Sequence, residues 1–140
     1  MSKIDRISIQ EKDWGKYEEI REREESPLKG SQNKILYLLA LSLGFKYDMK
    51  SDELKNKKGF VRLDTLSEKD KALIKVLAIE ESDTLEVLDD KAQVYKIADK
   101  YATGGVGLLY EGVFSNEPGE YFKKMEEELV GLAEDFSENN

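Results

Sequence analysis

A nine-residue apolar run constrains the fold more than any other segment of this chain. Residues 35–43 are apolar except for Ser42, with Ser31 before them as an N-cap candidate and Gly44 after them. Glycine is typical of the position that follows a helix, and an apolar surface on all sides indicates a buried helix. We therefore predict a helix over 33–44 that ends at Gly44 and lies at the centre of the fold or in a subunit interface.

The N-terminal segment predicts a strand followed by a helix. Residues 6–10 alternate, with Ile7 and Ile9 on one side, which indicates a short strand. From Glu11 the apolar spacing lengthens to three residues, which predicts an amphipathic helix to about Glu25. Proline and glycine within 26–30 end it.

The rest of the chain predicts mostly helix. Ser67 with Asp70 resembles a capping pattern and predicts the start of one helix. Asp90 can begin a second helix. The glycines within 103–105 either interrupt or bend this helix or allow another helix to pack closely against it. A last amphipathic helix follows over 121–136, and residues 60–63 form one further extended segment. We predict a single compact, mostly α domain with a short N-terminal β-strand, divided into a strand-helix-helix segment (1–45), a basic loop (46–66) and an acidic helical half (67–140).

Charge is distributed unevenly along the chain. The formal net charge is −8, yet residues 45–73 carry eight basic and six acidic side chains, whereas residues 74–140 carry six basic and sixteen acidic ones. Such asymmetry is typical of a protein with one side that faces nucleic acid, and also of acidic helices that keep a protein soluble.

The residue types present argue against most enzyme classes. Histidine and cysteine are both absent, which removes the usual general base near neutral pH and the soft metal ligands. Carboxylates at 83, 86, 89, 90 and 126–128 occur at the spacing of surface residues and do not form a cluster. A Mg²⁺-dependent nuclease is therefore a weaker hypothesis than the adaptor and the transcription regulator considered below. We expect a non-catalytic protein without cofactor or metal.

The sequence offers no membrane segment. The longest apolar run has nine residues, about half of what a membrane helix needs, and the N-terminus lacks the apolar region of a signal peptide. We expect a cytoplasmic protein.

Two groups of residues are candidates for DNA contact. The order strand–helix–loop–helix resembles the ribbon-helix-helix family, which implies a homodimer whose paired strands turn Arg6, Ser8 and Gln10 towards base edges. A second copy would also give strand 6–10 a pairing partner. The other group can neutralise phosphates, or can form an ordinary solvated loop, and consists of Lys46, Lys50, Lys55, Lys57, Lys58 and Arg62.

A longer resemblance covers about residues 31–112. The apolar helix ends in Leu43-Gly44-Phe45-Lys46, and a later element reads Tyr101-Ala102-Thr103-Gly104-Gly105. This order resembles a small family of accessory proteins found with DNA phosphorothioation (Dnd-type) modification and restriction loci. The resemblance implies a role in DNA modification or antiviral defence without a defined activity. We expect an adaptor that acts through protein–protein contacts, with direct DNA contact left open, the alternative being a ribbon-helix-helix transcription regulator.

Overall fold

The computed structural model describes residues 4–52, 54–115 and Glu127. The described part is mostly helical, as predicted, with a small sheet at one side. The helix predicted over 121–136 lies outside it except for Glu127. The described elements are β1 (Arg6–Gln10), α1 (Trp14–Glu22), α2 (Asn33–Lys46), β2 (Lys57–Arg62), α3 (Glu68–Ser82) and α4 (Lys91–Val113), with short 3-10 helices at Glu11–Asp13, Leu63–Thr65 and Leu85–Asp89.

Helix α2 is the centre of the core, as its sequence predicts. Every residue from Leu36 to Gly44 is buried, and α4 is its main packing partner. Its end differs from the prediction, because the helix continues through Gly44 to Lys46. Gly44 is needed for packing instead: a Cβ there would overlap the carbonyl oxygen of Tyr101 on α4.

Helix α4 is continuous, so the prediction of an interruption at 103–105 is wrong. The glycines serve the alternative that the sequence also offered, which is close helix approach. A Cβ at Gly105 would overlap the carbonyl oxygen of Ala40 in α2. The backbones of α2 and α4 therefore lie in contact with no side chain between them, so the glycines allow dense packing and do not form a turn.

The capping residues are placed as predicted. Ser67 and Asp70 form a reciprocal capping box at the start of α3, and the side chain of Asp90 accepts from the amide of Gln93 at the start of α4. Helix α1 ends at Glu22, three residues before the predicted end, because the chain turns back and the Ser26 hydroxyl donates to the carbonyl of Ile20.

Strands β1 and β2 form an antiparallel sheet with an irregularity in the register after Ile7. Ile7 pairs with Val61, and both are buried, as is Ile9. The predicted extended segment at 60–63 is thus a strand that begins earlier, at Lys57, inside the predicted basic loop.

This pairing corrects the reason for expecting a dimer. Strand β1 has its partner in the same chain, and α4 packs against it as well. A second copy is therefore not needed to complete the strand, and the ribbon-helix-helix arrangement, in which β1 would pair across a dimer axis, is not the one that β1 adopts.

No helix within the described ranges combines the length and apolar character required to cross a bilayer.

Candidate nucleic-acid interface

Exposed basic side chains accumulate on the two strands and the residues that lead into β2. Arg6 and Arg62 are cross-strand partners at one end of the sheet, and Lys57 pairs with Gln10 at the other end. Lys58 lies with its Nζ atom 4.3 Å from the centroid of the Trp14 ring. We call this set the basic strand surface; it consists of Arg6, Lys55, Lys57, Lys58 and Arg62, all exposed.

Arg6 and Arg62 also line a cleft between the sheet, α3 and α4. The cleft has a volume of about 730 Å³. Three further cations reach it, Lys71 and Lys75 from α3 and Lys91 from the start of α4. Two acidic side chains line it as well, and one of them, Asp64, forms an ion pair with Arg62 at 2.7 Å. We call this the basic cleft.

Each group of cations in the basic cleft has an unfavourable electrostatic interaction, either with another cation or with a helix dipole. Arg6 and Arg62 are like charges in a cross-strand pair, and Lys71 and Lys75 are like charges one helical turn apart. Lys91 occupies the first turn of α4, where the helix dipole favours an anion instead. Within residues 4–52 and 54–115, no carboxylate pairs with Arg6, Lys75 or Lys91.

One wall of the cleft is apolar. Leu63, Val94 and the partly exposed Leu88 line it together with Tyr95, whose side chain is 5% exposed. Burial raises the pKa of the Tyr95 hydroxyl, so this group stays protonated and can act as a donor. No described residue forms a hydrogen bond with it.

Of the three predicted base-contacting residues, Gln10 is buried and Ser8 is partly buried. Gln10 is only 4% exposed; its Oε1 accepts from the backbone amide of Lys55 at 2.9 Å, and its Nε2 donates to Asp13. Ser8 is partly buried, and its backbone amide interacts with the carboxylate of Asp99 on α4. Of the three, only Arg6, the first residue of β1, is exposed.

Lys46 and Lys50 are separated from the strands. Lys50 forms an ion pair with Glu81 at the end of α3 and lies over the ring of Tyr101. Hydrogen bonds from Lys50 and Tyr101 hold the pKa of Glu81 below its usual value. Lys46 lies beside the Tyr47 ring. Of the six predicted basic residues, Lys57, Lys58 and Arg62 lie on β2 and Lys55 just before it, whereas Lys46 ends α2 and Lys50 follows it.

Beneath β1 lies a buried polar cluster that the sequence pattern did not indicate. The Tyr37 hydroxyl donates to Asp99 Oδ1 at 2.7 Å. Burial raises the pKa of Asp99 to about 7, although Tyr37, Lys57 and the Ser8 amide oppose that shift. The hydroxyl of Tyr17 is also buried and has no partner in the described structure. Its pKa is raised, mainly by burial and further by Asp13 and Asp99.

The sequence pattern did not indicate four residues of the cleft, which are Lys71, Lys75, Lys91 and Tyr95. The spacing of Lys71 and Lys75 is a visible signal, since lysines at i and i+4 on a helix form a like-charge pair. Their convergence with Arg6 and Arg62 depends on how α3 packs near the end of the sheet, which spacing does not show.

Comparison with known proteins places this chain in a family. No curated protein and no solved structure matches it. A family model described as DNA sulphur modification system-associated protein 4 matches residues 20–138. The match includes β2 and α2 to α4, and therefore four of the five cleft cations, whereas β1 and Arg6 precede it. Since the match spans most of the chain, the protein belongs to the family of DNA sulphur modification system-associated protein 4.

Proposed function

We propose that the protein is a non-catalytic, cytoplasmic adaptor of its DNA sulphur modification system and that it contacts DNA through the basic strand surface. The observation that carries the proposal is the grouping of four exposed cations on one small sheet, with Lys55 just before it, in a chain of net charge −8. Phosphate contacts of this kind supply affinity without reading sequence. The association of the family with a DNA modification system supports this choice of ligand.

The local charge makes DNA contact compatible with the acidic total. Phosphates respond to the charges within about one Debye length, which is about 8 Å at physiological ionic strength. The strands themselves carry Arg6, Lys57, Lys58 and Arg62 and no acidic residue. The burial of Gln10 removes the side chain best suited to read adenine, so we expect backbone contact rather than an operator-specific regulator.

The adaptor part of the proposal assigns protein contact to the acidic half. Leu85 is the most exposed large apolar side chain described, at 70%, and it lies on the 3-10 helix that joins α3 to α4. Glu86 and Asp89 follow it on the same 3-10 helix, where Leu88 is exposed as well. Apolar side chains among acidic ones fit a partner with a basic rim around a small apolar pocket.

We expect the double substitution Lys57→Gln/Lys58→Gln to weaken binding to a labelled duplex about tenfold, equivalent to about 1.4 kcal/mol. Because phosphates are contacted, the loss should be the same for two duplexes of unrelated sequence. Fluorescence anisotropy at 50 mM salt measures it. Both lysines are exposed, so the midpoint of thermal unfolding should change little.

The matched control removes the same charge elsewhere. Lys29 and Lys69 are exposed and lie outside both the sheet and the cleft, so Lys29→Gln/Lys69→Gln should bind the duplex as the wild type does. Equal losses in the two double variants would contradict the proposal, because only the total charge would then matter.

A further inference from the structure

We propose that the basic cleft is a binding site for a nucleoside phosphate unit, with the phosphate held by the cations and the base against the apolar wall. The inference goes beyond DNA contact by the strands, since it assigns a bounded pocket and a ligand of defined size. The same chemical unit can come from a free nucleotide or from the end of a DNA strand.

The arrangement of charge points to an anion. Three separate groups of cations, Arg6 with Arg62, Lys71 with Lys75, and Lys91 at the start of α4, each raise the electrostatic energy of the unliganded protein. All of them line one cleft. Asp64 pairs with Arg62 and Glu68 pairs with Lys71, which offsets part of this repulsion. Arg6, Lys75 and Lys91 have no carboxylate partner among the described residues, and an anion in the cleft would attract all three.

The hydroxyl of Tyr95 is a further donor that a ligand in the cleft could use. Its ring is buried against the core, yet the residue lines the cleft and its hydroxyl has no partner among the described residues. A phosphate or ribose oxygen in the cleft would accept a hydrogen bond from it.

The dimensions and walls define the ligand further. A volume of about 730 Å³ lies within the range of small-molecule sites, about 300–1,000 Å³. An inorganic phosphate would leave most of it unfilled. Leu88 is the apolar residue with substantial exposure at this wall, at 39%, beside the nearly buried Leu63 and Val94. A nucleoside phosphate carries a flat apolar face and an anion in one molecule.

Isothermal titration calorimetry at 50 mM salt tests the assignment with AMP, adenosine and inorganic phosphate as probes. We expect AMP to bind more tightly than either fragment, because only AMP contacts both the cations and the apolar wall. No detectable binding of AMP would overturn the proposal, and so would equal affinities for AMP and inorganic phosphate.

Two variants locate the site. Lys75→Gln/Lys91→Gln should weaken AMP binding about tenfold or more. Tyr95→Phe keeps the ring and removes only the hydroxyl, so it should weaken binding about fivefold while the fold is retained, as near-ultraviolet circular dichroism would show. The control is Lys29→Gln/Lys69→Gln. Unchanged AMP affinity in both cleft variants would overturn the proposal.

Competition between DNA and AMP distinguishes the two sources of ligand, and it also distinguishes binding in the cleft from DNA contact by the strands. A DNA strand end that uses the cleft should compete with AMP more strongly when it is supplied as a linear duplex than as a covalently closed circle, which has no ends, whereas the two DNA forms should affect a free-nucleotide site equally. The variant Lys57→Gln/Lys58→Gln should bind AMP normally. Loss of duplex binding with intact AMP binding thus reports on the strands, and the reverse result reports on the cleft.

Discussion

Replacing Gly105 with alanine should lower the free energy of unfolding by about 3 kcal/mol or more. The added Cβ would overlap the carbonyl oxygen of Ala40 and come too close to the backbone amide of Gly44. Both obstacles are backbone atoms in the middle of α2, so neither can rotate away as a side chain would. Relief requires α2 and α4 to move apart, which loosens the main contact of the core. Urea unfolding followed by circular dichroism measures the change.

The matched control lies two residues further along the same helix. A Cβ at Gly107 meets no atom within 4 Å, so Gly107→Ala should stabilise the protein by up to about 1 kcal/mol through the helix propensity of alanine. The two substitutions change the same atoms and should have opposite signs. A stabilising or neutral Gly105→Ala would contradict the close approach of α2 and α4.

Replacing Asp99 with asparagine should remove a large pH dependence of stability. Burial raises the pKa of Asp99 to about 7, against 3.8 for an unperturbed group. Between these values the folded protein binds more protons at Asp99 than the unfolded chain does, so its stability falls as pH rises from about 4 to about 7. The shift of about three units corresponds to about 4 kcal/mol as an upper limit.

Asparagine carries no charge and keeps an oxygen that can accept from Tyr37. The difference in unfolding free energy between Asp99→Asn and the wild type should therefore shift in favour of the variant by up to about 4 kcal/mol between pH 4 and pH 8. Tyr37→Phe removes the hydrogen bond to the charged form and should raise the pKa of Asp99 further. A difference that does not vary with pH would show that Asp99 titrates like an exposed carboxyl.

Local patterns predicted the parts of the fold that depend on near neighbours. The apolar residues of 35–43 predicted a buried helix because burial on all sides needs no knowledge of the partner. The alternation at 6–10 predicted β1, and Ser67 with Asp70 predicted the start of α3 through a hydrogen bond between residues three apart. The resemblance based on Leu43–Lys46 and the Tyr101–Gly105 element predicted the family that the comparison confirms.

The misses all depend on contacts between distant residues. Gly44 is predicted locally as a helix end, and only the approach of α2 to α4 shows that it is a packing residue. For Gly105 the sequence leaves interruption, bending and close packing open, and the same approach shows the packing role. The pairing of β1 with β2 joins residues about fifty positions apart, so the strand seemed to require a second copy. The surroundings of the buried Asp99 and the lining of the basic cleft likewise come from several elements, and the spacing of residues in the sequence does not predict that they meet.

The salt dependence of DNA binding tests the central claim, phosphate contact by the basic strand surface, most directly. Between 50 and 200 mM salt, the logarithm of the association constant should fall linearly with the logarithm of the salt concentration, by about 0.9 for each phosphate contacted. We expect a steep slope for the wild type and a slope about two units shallower for Lys57→Gln/Lys58→Gln. No binding at 50 mM salt, or the same slope for both proteins, would contradict the account.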